Sequence, residues 1–325
     1  MEAYHRQRTQ PQPVQPIDRF EMSDIVVCPL CRSDEVGAES SVQIDLIRNY
    51  WRQFNYDIDA EFPNLPDKLV VLRCGRCQLG WFNPMIIGSS SLYAAVTEWP
   101  PYYRRDAWEW SIAIEILARA GIGSILEVGA GTGEFLAQAT GRFPQLLGLE
   151  YNDAAVSIAQ AKGRPVVNQR LTDLTAKPEA IVTFQVLEHL ADPAAFIAAC
   201  KNALIPGGFL VFAVPNDDGA LGALEGNFLN LPPHHATRWR RKTFETVADV
   251  FRLDLIDHRT QPLERNLYRL YRQRHIFPGN NIRTKIANLM TRIAFALTEP
   301  MALRHARGSI GGENQLAVFR MTNSP

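Results

Sequence analysis

The sequence predicts an α/β fold, a mainly parallel sheet flanked by helices, with a small metal-binding module in front of it. Three observations predict this. From about residue 119, short apolar runs alternate with helical stretches, as crossover connections between parallel strands require. The first run, Ser124 to Val128, leads into the glycine-rich turn Gly129-Ala130-Gly131-Thr132-Gly133. Upstream, four of the five cysteines form two pairs, Cys28-Pro-Leu-Cys31 and Cys74-Gly-Arg-Cys77, a metal-site spacing.

The elements follow in order. Residues 1–20 are polar and rich in Gln, Pro and Arg, without the apolar core of a signal peptide, and read as a disordered tail. Residues 21–87 hold both cysteine pairs, and 88–118 form a helical and aromatic lead-in with Tyr102, Tyr103, Trp108 and Trp110. In the main domain, 119–325, strands are expected at Ser124 to Val128, Leu146 to Glu150, Pro165 to Asn168, Ala180 to Val186 and Gly208 to Val214. Asp192-Pro193 starts a helix, with Asp as N-cap and Pro in the first turn, and Pro206-Gly207-Gly208 stops it. Lys242 to Phe251 reads as helix and Leu253 to His258 as strand. Asn314 to Met321 reads as an edge strand. Cys200 lies in a helical pattern and behaves as a small buried hydrophobe.

Residues 259–307 carry ten Lys or Arg against two Glu. Ile286, Leu289, Met290, Ile293 and Leu297 keep helical spacing there. The segment is either an amphipathic helix with a solvated basic face or a docking surface for an anionic substrate or membrane headgroups. Over the whole chain 34 basic residues balance 34 acidic ones, so no global field draws it to nucleic acid or membrane. No apolar run approaches the roughly 18 residues that span a bilayer. A reducing, cytoplasmic setting is expected, which favours metal over disulfides at the cysteines.

The glycine turn carries the strongest chemical signal. Side chains at 129, 131 and 133 would block a ligand approaching the backbone, and the following helix aims its amides at that ligand. Glu150, at the end of the second strand, can accept hydrogen bonds from a ribose. The G-x-G-x-G spacing differs from the dinucleotide G-x-G-x-x-G. Glu127, two residues before the first glycine, suits an ammonium group better than a pyrophosphate. A purely structural turn is the alternative.

With these residues in view, Ser124 to Asn216 resembles class I S-adenosylmethionine-dependent methyltransferases, especially the group of ubiquinone-biosynthesis O-methyltransferases. The likeness rests on the glycine turn, Glu150, the stretch ending at Leu174, Val186-Leu187-Glu188-His189-Leu190, Pro206-Gly207-Gly208 and Val214-Pro215-Asn216. It implies a Rossmann-like seven-stranded sheet with one antiparallel strand, for which Asn314 to Met321 is the candidate, and an insertion over 261–312. It implies that Glu127, Gly129, Ala130, Gly131 and Gly133 border the methionine part of the cofactor, that Glu150 and Tyr151 lie at the ribose, and that Asp173 and Leu174 flank the adenine. Gln185 would line the pocket near the sulfonium. Tyr103, with Tyr102, would cap the cofactor or simply pack.

The cysteine pairs, separated by 42 residues, suit a closed tetrahedral site of Cys28, Cys31, Cys74 and Cys77. Structural zinc is the first reading; iron, an iron–sulfur cluster and redox thiols are the others. The zinc-ribbon-like module resembles the N-terminal zinc-binding domain of some sugar and antibiotic-pathway methyltransferases. In zinc-bearing sugar C-methyltransferases a Glu-His pair after the fifth strand helps remove a proton. Here His234-His235 stands there and departs from the pattern at its first residue.

Methyl transfer to a hydroxyl needs a positioned base. His235 is the first candidate, and bracing of the 215–233 loop is its structural alternative. His234 and His189 are further candidates. Arg238, Arg240, Arg241 and Lys242 could recognise a phosphate or carboxylate, or could form a solvated helix start. The expected function is O-methylation of a small molecule or glycan, with S-adenosylmethionine and structural zinc bound. C- or N-methylation of a sugar and a non-catalytic cofactor-binding scaffold are alternatives. RNA methylation is disfavoured: the basic residues lack interleaved aromatics, and the motif after the fourth strand is not the nucleobase type.

Overall fold

The computed structural model describes residues 26–97, 106–220, 222, 230–269, 302–307 and 310–322. The expected N-terminal tail, Tyr102, Tyr103 and the helical spacing at 286–297 lie outside the described residues.

The N-terminal part is a small antiparallel sheet with two buried faces. Its elements are β1 (Val36–Gln43), α1 (Ile44–Trp51), the short α2 (Ile58–Glu61), β2 (Lys68–Cys74), β3 (Gly80–Asn83) and α3 (Ser90–Thr97). Strand alternation sorts β2 between the faces. Leu69 and Val71 pack with Ile44, Ile47 and Trp51, while Val70 and Leu72 face the cysteines and the main domain.

The main domain begins with α4 (Trp108–Arg119) and β4 (Ser124–Val128). It continues through α5 (Glu134–Ala139), β5 (Gln145–Leu149), α6 (Asp153–Ala161), β6 (Val166–Val167), β7 (Ala180–Phe184), α7 (Pro193–Ala203) and β8 (Phe209–Pro215). The two-residue β9 (Thr237–Arg238), α8 (Arg241–Phe251), β10 (Leu253–Thr260) and β11 (Asn314–Met321) complete it. The seven strands lie in the order β10-β11-β8-β7-β4-β5-β6. β8, β7, β4, β5 and β6 are mutually parallel, and β11 runs antiparallel to both its neighbours.

The sheet is buried on both sides because its strands are apolar at consecutive positions. Ile125, Val182, Val211, Leu316 and Val318 pack on α4, α5 and α6. Leu126, Ile181, Leu210, Phe212, Ala317 and Phe319 pack on α7 and α8 and run on into the cysteine cluster.

Three expectations are corrected. β11 is not at the edge: it is inserted between β8 and β10, which is why Gln315 to Phe319 are 0% exposed. The strand expected at Pro165 to Asn168 shortens to Val166–Val167, the outer strand beside β5. The strand expected to reach Val186 stops at Phe184, because Gln185 adopts φ 57° and breaks the ladder. The sheets also do not follow the sequence divisions. β9, from the main domain, pairs with β3 and makes the small sheet four-stranded, in the order β1-β2-β3-β9.

Among the described residues no helix is long and apolar enough to cross a membrane.

α7 starts as its sequence requires. Asp192 Oδ1 accepts from the Ala195 N–H at 3.0 Å, with Pro193 in the first turn. The Asp192 carboxylate also pairs with Arg32 at 2.8 Å, but both side chains are about half exposed, so that pair adds little. Asp192→Ala is therefore expected to lower the unfolding free energy by about 1 kcal/mol. Urea denaturation with an unshifted midpoint would show the cap to be idle.

Candidate active site

After β4 the backbone turns through Gly129 (φ 78°), Ala130, Gly131 (φ 51°), Thr132 and Gly133 (φ 73°) into α5. The turn has no room for a side chain at its first glycine. A Cβ on Gly129 would stand 2.5 Å from Val186 Cγ2. The turn is tied to the end of β5: the Gly129 and Ala130 N–H groups both donate to the Leu149 carbonyl, at 2.9 and 3.0 Å. Glu150 bridges the two adjoining turns. Its Oε2 accepts from the Gly131 N–H and its Oε1 from the Asn152 N–H, each at 2.8 Å. Each oxygen keeps further acceptor capacity, so the carboxylate is both a brace and an available acceptor.

Glu127 is 3% exposed, and its Oε2 is buried with no hydrogen-bond partner among the described residues. Burial, reinforced by Glu150, pushes its carboxyl well above the usual carboxylate range. An unmet buried carboxyl oxygen is costly, and a cationic donor is the group that would satisfy it. The residue therefore fits the ammonium end of an amino acid.

Gln185 turns the corner after β7, where its N–H donates to the Ala213 carbonyl at 2.8 Å. Its Nε2 donates to Glu109 Oε1 at 3.2 Å, and Asn314 Nδ2 donates to Glu109 Oε2 at 3.4 Å. Glu109, on α4 and 1% exposed, was missed in the sequence. Its signal was there: it shares the Ala113–Leu117 stripe at i, i+4, i+8, where an apolar residue is expected. Tyr151 is 67% exposed, Asp173 lies exposed in the single turn Leu171–Asp173, and Leu174 is half-buried. Ala130 is buried in the turn itself. Tyr103 lies outside the described residues.

The three histidines come together. His234 and His235 stack, with ring centroids 4.5 Å apart, and His189 meets them edge-on at 4.6 and 4.7 Å. His189 Nδ1 faces the His234 carbonyl, and His235 Nδ1 faces Asn230 Oδ1 at 3.0 Å. Both partners are acceptors, so each Nδ1 carries the proton, which leaves the His235 Nε2 as an acceptor. Both Nε2 atoms lie 3.9 Å from Glu188 Oε1. Glu188 is 1% exposed, and neither of its oxygens has a hydrogen-bond partner among the described residues. Burial pushes its carboxyl up to about 8, and the Glu109 charge adds to this. Burial pushes His189 down to about 4, and it pushes His235 well below the usual imidazole range, helped by His234, His189 and Arg238. Tyr93, also not singled out in the sequence, sets its ring 5.9 Å from His189.

The four paired cysteines converge. Cys28 and Cys77 Sγ are 3.5 Å apart, Cys31 and Cys74 Sγ 3.6 Å, and all four sulfurs lie within 4.8 Å of one another. Tetrahedral zinc with Zn–S near 2.3 Å sets sulfurs roughly 3.8 Å apart, so the donor set fits that ion. The Cys77 N–H points at Cys74 Sγ at 3.4 Å.

The Glu188 environment has a pH signature. Its folded carboxyl holds a proton more tightly than the unfolded one, so it costs stability progressively from about pH 4.5 up to about 8. Glu188→Gln removes that cost. The variant's advantage over the parent is expected to grow between pH 5 and 8, read from thermal melting. The depressed histidines lower stability in both proteins as pH falls below about 6.5, so they cancel in the comparison. A difference that does not change with pH would remove the buried-acid assignment.

Residues 97–299, more than half of the chain, match the family model described as a methyltransferase domain. A protein of Mycolicibacterium smegmatis named a probable S-adenosylmethionine-dependent methyltransferase is 35% identical over 101 residues, covering 28% of this chain and 38% of that protein. The ubiquinone biosynthesis O-methyltransferase of Hahella chejuensis is 30% identical over 147 residues, covering 40% of this chain and 62% of that enzyme. Among solved structures, an S-adenosylmethionine-bound amino pentose methyltransferase of Micromonospora echinaspora, from calicheamicin biosynthesis, is 27% identical. That likeness covers 39% of this chain and 56% of the other, with a TM-score of 0.31. The chain thus spans less than two thirds of the length of these relatives. With more than half of its residues in the family match, the chain belongs to the methyltransferase domain family.

Proposed function

We propose that the protein transfers the methyl group of S-adenosylmethionine to an oxygen of a small-molecule or glycan acceptor, with His235 taking the acceptor's proton. The observation that carries this reading is the state of His235. Its Nδ1 is committed to Asn230, its bare Nε2 faces a buried carboxyl, and it is neutral at ordinary pH. An uncharged imidazole with one free lone pair is able to accept a proton.

The cofactor supplies, when bound, an electrophilic methyl on a sulfonium. Glu127 would hold its ammonium and Glu150 its ribose, with Gly129, Ala130, Gly131 and Gly133 leaving room along the backbone. Tyr151, Asp173 and Leu174 would line the adenosine side, and Gln185, fixed by Glu109, the sulfonium side. A site walled by buried carboxyls favours a cation. Glu188 stands beside His235 as the neighbouring acid, while His189 and His234 fix the ring between them.

Oxygen as the accepting atom is in line with the names of relatives, among them the ubiquinone biosynthesis O-methyltransferases. An anionic group on the acceptor is supported by Arg238. Arg240 pairs with Glu39 and Asp217, and Arg241 and Lys242 pair with Glu245. Arg238 has no ion pair among the described residues, and its Nε is buried without a partner. Its guanidinium lies 5.1 Å over the Phe82 ring. Structural zinc at Cys28, Cys31, Cys74 and Cys77 is supported by the sulfur spacing. Five free cysteines suit a reducing compartment such as the cytoplasm.

Two substitutions test the reading. His235→Ala is expected to spare S-adenosylmethionine binding and slow release of S-adenosylhomocysteine by roughly 10²–10⁴-fold with an acceptor-containing extract. Undiminished turnover would leave the histidine a brace. Gly129→Ala forces an alanine into the left-handed region at a cost on the order of 1–3 kcal/mol, and its methyl collides with Val186. Calorimetry should find cofactor affinity lowered roughly ten- to hundred-fold, and unchanged affinity would remove the turn from the binding site.

A further inference from the structure

We infer that the β2–β3 hairpin of the four-cysteine module positions His235, with Arg73 as a positioning residue that bolts the hairpin to the main domain. The inference rests on the proposed role of His235, and its test is chosen to stand apart from that role.

The segment carrying His234 and His235 is held from both chain directions by the small sheet. The knuckle Cys74–Cys77 is the turn of the β2–β3 hairpin, closed by the Cys74 N–H to the Leu79 carbonyl at 3.0 Å. β3 begins three residues after Cys77, and its free edge takes β9, with Gly80 opposite Arg238 and Trp81 opposite Thr237. One step further, the Phe82 N–H donates to the Ala236 carbonyl at 3.2 Å, immediately beside His235. On the other side of the histidine pair, Trp51 Nε1 donates to the Pro232 carbonyl at 2.8 Å, from a fully buried ring. The turn after β7 meets the same segment through the Ala236 N–H to the Glu188 carbonyl at 2.8 Å and Thr237 Oγ1 to the Leu187 carbonyl at 3.2 Å. His235 therefore sits in a seam whose far wall belongs to the cysteine module.

Arg73 fixes the seam. It is 8% exposed and donates to the Glu39 carboxylate on β1, to the Gln78 carbonyl beside the knuckle at 2.9 Å, and to Asp217 Oδ2 at 2.6 Å. Asp217 follows β8. It also accepts from Arg240 at 3.2 Å, and its N–H donates to the Trp239 carbonyl at 3.0 Å. The guanidinium fills the space above Gly80, where a Cβ would stand 2.7 Å from Arg73 Nη1. One side chain thus joins the knuckle, β1, the end of β8 and the exit of β9. A buried ion cluster of this kind contributes geometric specificity more than net stability.

The test uses the full chain and the variant Arg73→Met, which keeps the bulk and all four cysteines. Amide hydrogen exchange across 230–240 and β3 should accelerate roughly tenfold or more. The His235 ring, followed by nuclear magnetic resonance, should begin to titrate toward the ordinary value of about 6.5. Metal content and S-adenosylmethionine affinity should stay within about twofold of the parent, while kcat falls and Arg73→Lys restores part of it. A folded Arg73→Met protein with unchanged exchange and an unchanged His235 titration would overturn the inference. If that variant does not fold, Trp51→Phe removes the bond to Pro232 without touching the ion cluster, and the same unchanged readouts there would overturn it. Stripping metal with a chelator should produce the same local acceleration. A chain that binds no metal would defeat the zinc assignment and leave the Arg73 comparison decisive. Normal turnover of His235→Ala would defeat the base assignment and leave the exchange result standing.

Discussion

The pairing of β9 with β3 is the contact on which the architecture turns. Two residues from the large domain close the edge of the small sheet. An open strand edge carries unpaired amides and carbonyls and must be covered. Covering this one with Thr237 and Arg238 draws the preceding residues, Pro232 to Ala236, against the module. It places His235 between the module and the ends of β7 and β8. Apolar burial reinforces the seam, because the cysteines, Val70, Leu72 and Trp81 share one cluster with Leu126, Phe212 and Phe244.

Within that frame several carboxyls are buried without a basic partner. Glu109, Glu127 and Glu188 are each at least 97% buried, and Glu150 stands at the turn. None of the four has an ion pair with Lys or Arg among the described residues. Buried carboxyls without cations are expensive in a protein built only for stability. They are economical in one that receives a cation. Arg73 and Arg240 pair instead with Glu39 and Asp217, and Arg238, on β9, lies near the same cluster.

What could be read from the sequence was local. The turn from Gly129 to Gly133 needs positive φ at fixed positions, and only glycine supplies it cheaply. The Asp192 cap, the Pro206-Gly207 stop and the two C-x-x-C knuckles are likewise written within a few residues. The partners of those residues were not. Glu109 meets Gln185 across 76 positions and Asn314 across 205, and Trp51 meets Pro232 across 181. Nothing near Glu109 distinguishes it from a solvated helix residue except its place on an apolar stripe. Nothing near Arg73 announces Asp217.

The sequence by itself determined the order of the main-domain strands from Ser124 to Val214, the close approach allowed at the glycine turn, and the two C-x-x-C pairs, because each depends on chain geometry over short spans. Only the tertiary structure decided that β11 enters the sheet between β8 and β10, that β9 leaves its own domain to pair with β3, and that three histidines and a buried carboxyl meet in one seam. Those outcomes depend on which apolar faces bury against each other and which strand edges are left to be closed, and such competition is settled by the whole folded chain at once.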